Sequence, residues 1–206
     1  SGGEARAVAA NCPGDLKSNA VTRRHVARGA SEFAFSPGEK QLAFVVEGEI
    51  YCGLIKDDEL QDPVRLTETE AREKDLAWLN EDELIFVSDR EGNDDIFLMR
   101  SSDEDEPRLG RSRRRETVRL TQDPATEHSP QLSPDGETLL YRKGTDFVWG
   151  MKTDGGEQRL LIDEPQVLHV DWSPDSRYLA YSVTNHGSAE DIFLIDLEDS
   201  EAEALN

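Results

Sequence analysis

Between residues 88 and 99 the chain reads SDREGNDDIFLM, which crowds Asp89, Glu91, Asn93, Asp94 and Asp95 into one short stretch. Oxygen donors at alternate positions are the beginnings of a calcium loop. Gly92 is misplaced for such a loop, and no bidentate Glu follows at the required distance. The stretch reads instead as a tight hairpin, with Gly92-Asn93 supplying positive-φ residues between two strands. The histidines are His25, His128, His169 and His186, and none forms a close-spaced metal pair with another. His128 and His169 stand just before comparable turns and are expected at the edges of the sheets. His186-Gly187-Ser188 falls in a hairpin loop and lacks the strand-to-helix setting of a nucleophile elbow. Arg111 and Arg113-Arg114-Arg115 form a short basic run beside the acidic residues 103–106, a pattern of low specificity for nucleic acid. Phosphate loops and dinucleotide fingerprints are absent from the sequence. These residues therefore designate no catalytic, cofactor-binding or metal-binding set, and no cofactor is expected.

A formal charge of -21 disfavours nucleic acid and anionic membrane as general partners. No apolar run is long enough for a transmembrane helix. The opening SGGEARAVAANCPG has neither the basic start nor the apolar block of a signal peptide. Cys12 and Cys52 are isolated from each other in sequence, and a bridge between them would need an oxidising compartment. Cys52 lies in a predicted strand and reads as a small core residue.

The elements that would position all these side chains are repeats. LSPDGETLLY at 132–141 opens with Ser133-Pro134-Asp135-Gly136, an order suited to a type I turn, and runs into an apolar strand. FSPGEKQLAF begins at Phe35 and WSPDSRYLAY at Trp172, while WLNEDELIFV at Trp78 is a worn copy. Each repeat has four strand-like pieces. A short one ends at the turn, and QLAFVV, ELIFVS, TLLYRK or YLAYSV follows it. Next comes GEIYCGLI, DDIFLMR, DFVWGMK or EDIFLID. The last piece is VRLT at 64–67, VRLT at 118–121, QRLL at 158–161 or EALN at 203–206. Aligned by sequence, Ile50, Ile96, Phe147 and Ile192 share one position, and Tyr51, Phe97, Val148 and Phe193 the next. The β-branched and aromatic content favours strands, and four short antiparallel strands per repeat is the signature of propeller blades. The predicted fold is all-β, a partial β-propeller of about four four-stranded antiparallel blades. Residues 1–20 read as a lead-in or linker and 21–206 as the propeller, with blades at about 21–67, 68–122, 123–166 and 167–206. The charged stretch 101–117 reads as an inserted loop, solvated and mobile. The first and last blades are expected to expose apolar faces and to recruit another chain, so self-association is expected.

As a set, the S-P-D-G turn with its apolar strand, D-I-F and R-L-T resemble the propeller repeats of the TolB and tricorn protease families over roughly residues 21–206. The order VTRRHVARGASEFAFSPGEKQLAFVVEGEIY is most similar to bacterial tricorn-like peptidases. That resemblance implies a propeller that guides peptides toward a serine peptidase domain of the parent chain. It also implies peptide or protein partners, among them the missing blades or the peptidase domain, and a periplasmic or cytoplasmic location with the periplasm favoured. A TolB-like interaction propeller and the propeller cap of a prolyl-oligopeptidase-type enzyme are the alternative readings. No catalytic residue of the peptidase family has a matching position in this sequence.

Overall fold

The computed structural model describes residues 29–57, 59–145, 147–164, 167–184 and 190–198. All of its sheets are antiparallel meanders of sequential strands. The first blade contains β1 (Ala30–Phe35), β2 (Gln41–Val46), β3 (Glu49–Lys56) and β4 (Glu59–Arg65). The second contains β5 (Glu73–Trp78), β6 (Glu83–Ser88), β7 (Asp95–Ser101) and β8 (Arg115–Arg119). The third contains β9 (Glu127–Leu132), β10 (Thr138–Lys143), β11 (Phe147–Lys152) and β12 (Arg159–Ile162). The fourth shows three strands, β13 (Val167–Trp172), β14 (Tyr178–Thr184) and β15 (Glu190–Asp196). The predicted strand at 21–29 lies outside the described residues except for Gly29, and that at 203–206 lies wholly outside them, as does Cys12. The fold is a partial β-propeller of four blades. They fall into two compact units, Ser1–Gln122 with the first two blades and Asp123–Asn206 with the last two.

The S-P turns form for the reason the sequence suggests. The Gly136 N–H donates to the Ser133 carbonyl at 2.9 Å, which closes the turn with Pro134 and Asp135 at its centre. The Ser133 hydroxyl accepts the Thr138 N–H at 3.0 Å and donates to Asp135 at 2.5 Å. Ser36 and Ser173 brace their turns in the same way, accepting from Gln41 N at 3.1 Å and Tyr178 N at 2.8 Å. The left-handed position falls to Gly136, Glu39 and Ser176, with φ of 77°, 56° and 61°.

Within each unit the blades stack in one direction. The forward face of the first blade carries Ala43, Val45, Ile50 and Cys52. It packs on the rear face of the second, which carries Trp78, Leu84, Phe86, Phe97 and Met99. In the other unit, Leu140, Val148 and Ile162 of the third blade meet Leu179 and Tyr181 of the fourth. Polar ties reinforce the first pair. The Glu32 carboxylate accepts the N–H groups of Asp75, at 2.9 Å, and Leu76. The Trp78 indole donates to the Ala34 carbonyl at 3.0 Å.

The D-I-F and R-L-T signatures form a latch between the third and fourth strands. In the first blade Arg65 pairs with Glu49 at 2.9 Å, and the Thr67 hydroxyl accepts the Ile50 N–H at 2.8 Å. The second blade repeats this with Arg119 on Asp95 at 2.7 Å and Thr121 on the Ile96 N–H at 2.9 Å. The third blade corrects the sequence alignment. Arg142 pairs with Val148, as Val45 pairs with Ile50 and Val87 with Ile96. Val148, not Phe147, is therefore the counterpart of Ile50. Phe147 takes the place of the latch acid, and Leu160 and Ile162 take the places of the Arg and Thr. All three latch positions have become apolar together. The three-residue connection 144–146 between β10 and β11 sets this register, and a slip of one residue turns every side chain to the other face.

The stretch 101–117 is exposed over most of its charged residues, as expected, but it is also anchored at one point. Leu109 is 0 % exposed and sits in the core cluster with Cys52 and Ala43. The Gly110 N–H donates to the Oε1 atom of the buried Gln41 at 3.0 Å. Arg115 folds back to donate to the carbonyls of Leu109, at 3.2 Å, and Ser112, at 2.5 Å. One apolar residue gives a charged loop no periodicity, yet it is enough to anchor the loop.

Candidate functional site

Most side chains whose types suggest chemistry are held in structural bonds. In the acidic stretch, Asp89 accepts the Arg72 N–H at 2.8 Å, Asp94 pairs with Lys74 at 2.7 Å, and Asp95 belongs to the latch. Gly92 takes the positive φ expected of its turn, at 104°, whereas Asn93 does not. Glu73 is buried at the start of β5, paired with Arg90 at 2.8 Å, and Arg90 in turn lies over the rings of Phe86 and Phe97. The Cys52 thiol is free and buried, and burial pushes its pKa up to about 12, the opposite of a reactive thiol. Of the basic run, Arg111, Arg113 and Arg114 are exposed while Arg115 is tied into its loop. The Asp135 carboxyl is held below its ordinary value by the Ser133 hydroxyl first and the Glu137 N–H after it.

His25 and His186 lie outside the described residues. His128 and His169 are in the second unit, on the first strands of their blades, as expected. The Nδ1 atom of His128 lies 3.1 Å from the Ser129 hydroxyl, a serine and an imidazole within hydrogen-bond reach. The pair is sequential along one strand, and among the described residues no carboxylate orients the His128 ring. A nucleophile, a base and an orienting third group are therefore not assembled.

Ser129 also borders a cleft. It stands three residues before the end of β9, the place Glu32 occupies in β1. In the first unit the long Glu32 side chain crosses to the next blade and is clamped by backbone N–H groups. The shorter Ser129 leaves a cleft of 280 Å³, bordered also by Gln131, Arg142, Leu168 and His169. Arg142 replaces the Val45 and Val87 of the first two blades, and its guanidinium donates to the carbonyls of Val167 at 2.7 Å and Leu168 at 3.1 Å. The Gln131 amide donates to Asp171 at 3.2 Å. The rim is therefore polar, with the Arg142 and Gln131 donors bonded within the chain and His169 beside them. Sequence reading missed Gln131 and Arg142. The signal was available as a break in the repeat, an Arg where two other blades have Val.

No family model matches the chain, and no curated protein matches it. Solved structures do. A tricorn protease structure superposes with a TM-score of 0.62 at 13% identity, covering 83% of this chain and 16% of the other. A putative TolB from Agrobacterium tumefaciens gives 0.61 at 20% identity, covering 86% and 61%. The fold is the one their propellers share. Prolyl oligopeptidase B from Galerina marginata gives 0.59 at 10% identity, covering 81% and 24%. This chain thus spans less than two thirds of each of these relatives.

Proposed function

We propose that this chain is a non-catalytic propeller segment of a tricorn-like serine peptidase, where it guides peptides or scaffolds the catalytic part. The observation that carries the reading is the polar-rimmed cleft of the second unit, at which no nucleophile–base–orienter set stands among the described residues. The propeller fold supports it, since the blades supply a rigid frame and their irregular positions supply the contacts. The 20% identity to a putative TolB, over 61% of that chain, supports a second reading, a propeller that binds protein partners.

Fluorescence anisotropy with labelled, unstructured peptides tests the peptide reading. Binding is expected, and Gln131→Ala combined with His169→Ala should weaken it about tenfold, the equivalent of ~1.4 kcal/mol. Unchanged affinity in that variant would move the contact away from this cleft. No binding by the parent chain would remove the peptide reading in favour of a folded protein partner.

A further inference from the structure

The cleft of the second unit stands where the first unit holds a carboxylate. Between the first two blades, Glu32 fills this space from within, and the N–H groups of Asp75, at 2.9 Å, and Leu76 donate to its oxygens. Between the third and fourth blades the same strand position carries Ser129, and the space is an open cleft of 280 Å³. Its walls suit a side chain with an apolar stem and an anionic end. Leu140, Val148 and Val170 supply the apolar part, and Leu140 and Val148 belong to the buried core beneath it. Arg142 supplies the charge.

That charge is not answered by an acid. Arg65, Arg90, Arg119 and Arg177 each pair with a carboxylate. Arg142 bonds only to the backbone carbonyls of Val167 and Leu168, and its guanidinium has further N–H groups beyond those two. The chain has 44 acidic residues against 23 Lys and Arg, yet none of the acids lines the cleft. Asp171 stands at the rim, where it already accepts from the Gln131 amide at 3.2 Å and the Trp172 N–H at 2.9 Å. We infer that the cleft receives a glutamate side chain of the bound peptide, with its stem on Leu140, Val148 and Val170 and its carboxylate on Arg142. The incoming side chain takes the place that Glu32 fills in the first unit, with guanidinium donors in place of backbone ones. The inference rests on the peptide reading above and adds the residue type that the cleft selects. A net charge of -21 opposes any acidic ligand, so the preference for Glu over Gln is the quantity to read rather than the affinity itself.

Fluorescence anisotropy with labelled, unstructured peptides that differ only in one central residue, Glu or Gln, tests it. All are amidated at the C-terminus, so the side chain is the only carboxylate that differs. The parent chain should bind the Glu peptide about tenfold more tightly, as expected for a charge-assisted bond in place of a neutral one. Arg142→Met keeps an apolar stem and should bring the two affinities together. Ser129→Glu rebuilds the arrangement of the first unit, with the chain's own carboxylate in the cleft. It should also abolish the preference while keeping the parent's circular dichroism and melting, because Glu39, Glu47 and Glu157 already adopt the positive φ that Ser129 has, 53°. Equal binding of the Glu and Gln peptides by the parent would overturn the inference and leave the peptide reading standing. Binding of neither would remove both. A Ser129→Glu chain that keeps the preference would overturn the inference by moving the carboxylate to another site. A Gln peptide with a free C-terminus that matches the amidated Glu peptide would overturn it by assigning the contact to the chain end.

Discussion

At the residue scale, the side chains that look most reactive have structural assignments, and the latch shows why their pattern repeats. A strand-three N–H at the edge of a buried face needs an acceptor, and Thr67 and Thr121 supply it from strand four. The neighbouring acid is shielded from water, and Arg65 or Arg119 answers its charge. Removing only the Thr121 hydroxyl takes away its acceptance of the Ile96 N–H and its donation to Asp95 at 3.3 Å. Thr121→Val should lower stability by about 1–3 kcal/mol, the cost of an unsatisfied buried donor. Thr121→Ser should retain most of it, and urea unfolding of the two variants measures the difference. The sequence displays D-I-F and R-L-T plainly, but only as markers of equivalent positions. Their bonds to each other became visible once strands three and four were paired.

At the element scale, the turns were legible and one register was not. Ser-Pro-Asp-Gly declares its turn because proline, a capping side chain and a positive-φ residue each have a local reason to be there. The third blade's register depends on the length of the connection at 144–146, which alignment by similarity absorbed as a match between Phe147 and Ile50. The anchor of the stretch 101–117 was illegible for a related reason. Leu109 has no apolar neighbours in sequence, and its contacts lie on other strands. Leu109→Ala should cost about 2–5 kcal/mol as a buried Leu truncation. Limited trypsin digestion should cut the parent slowly between Arg111 and Arg115 and the variant quickly. Equal, rapid cleavage of both would show that the loop is undocked in solution.

At the scale of the molecule, blade repetition determines what is core and what is interface. Leu139, Leu140, Tyr141, Leu179 and Tyr181 are buried as their repeat positions require, while Ala180 is half-buried on the open forward face of the fourth blade. The repeat was the most legible feature of the sequence because each copy restates the same turn and strand. The cleft was the least legible, since it arises where Ser129 and Arg142 depart from the repeat. On the reading proposed above, this segment holds and presents a chain without cleaving it. Mass spectrometry of unstructured peptides incubated with the purified 206-residue chain tests that claim most directly. The peptides are expected to remain intact. Cleavage that disappears on Ser129→Ala or His128→Ala would contradict it and make that pair a catalytic centre.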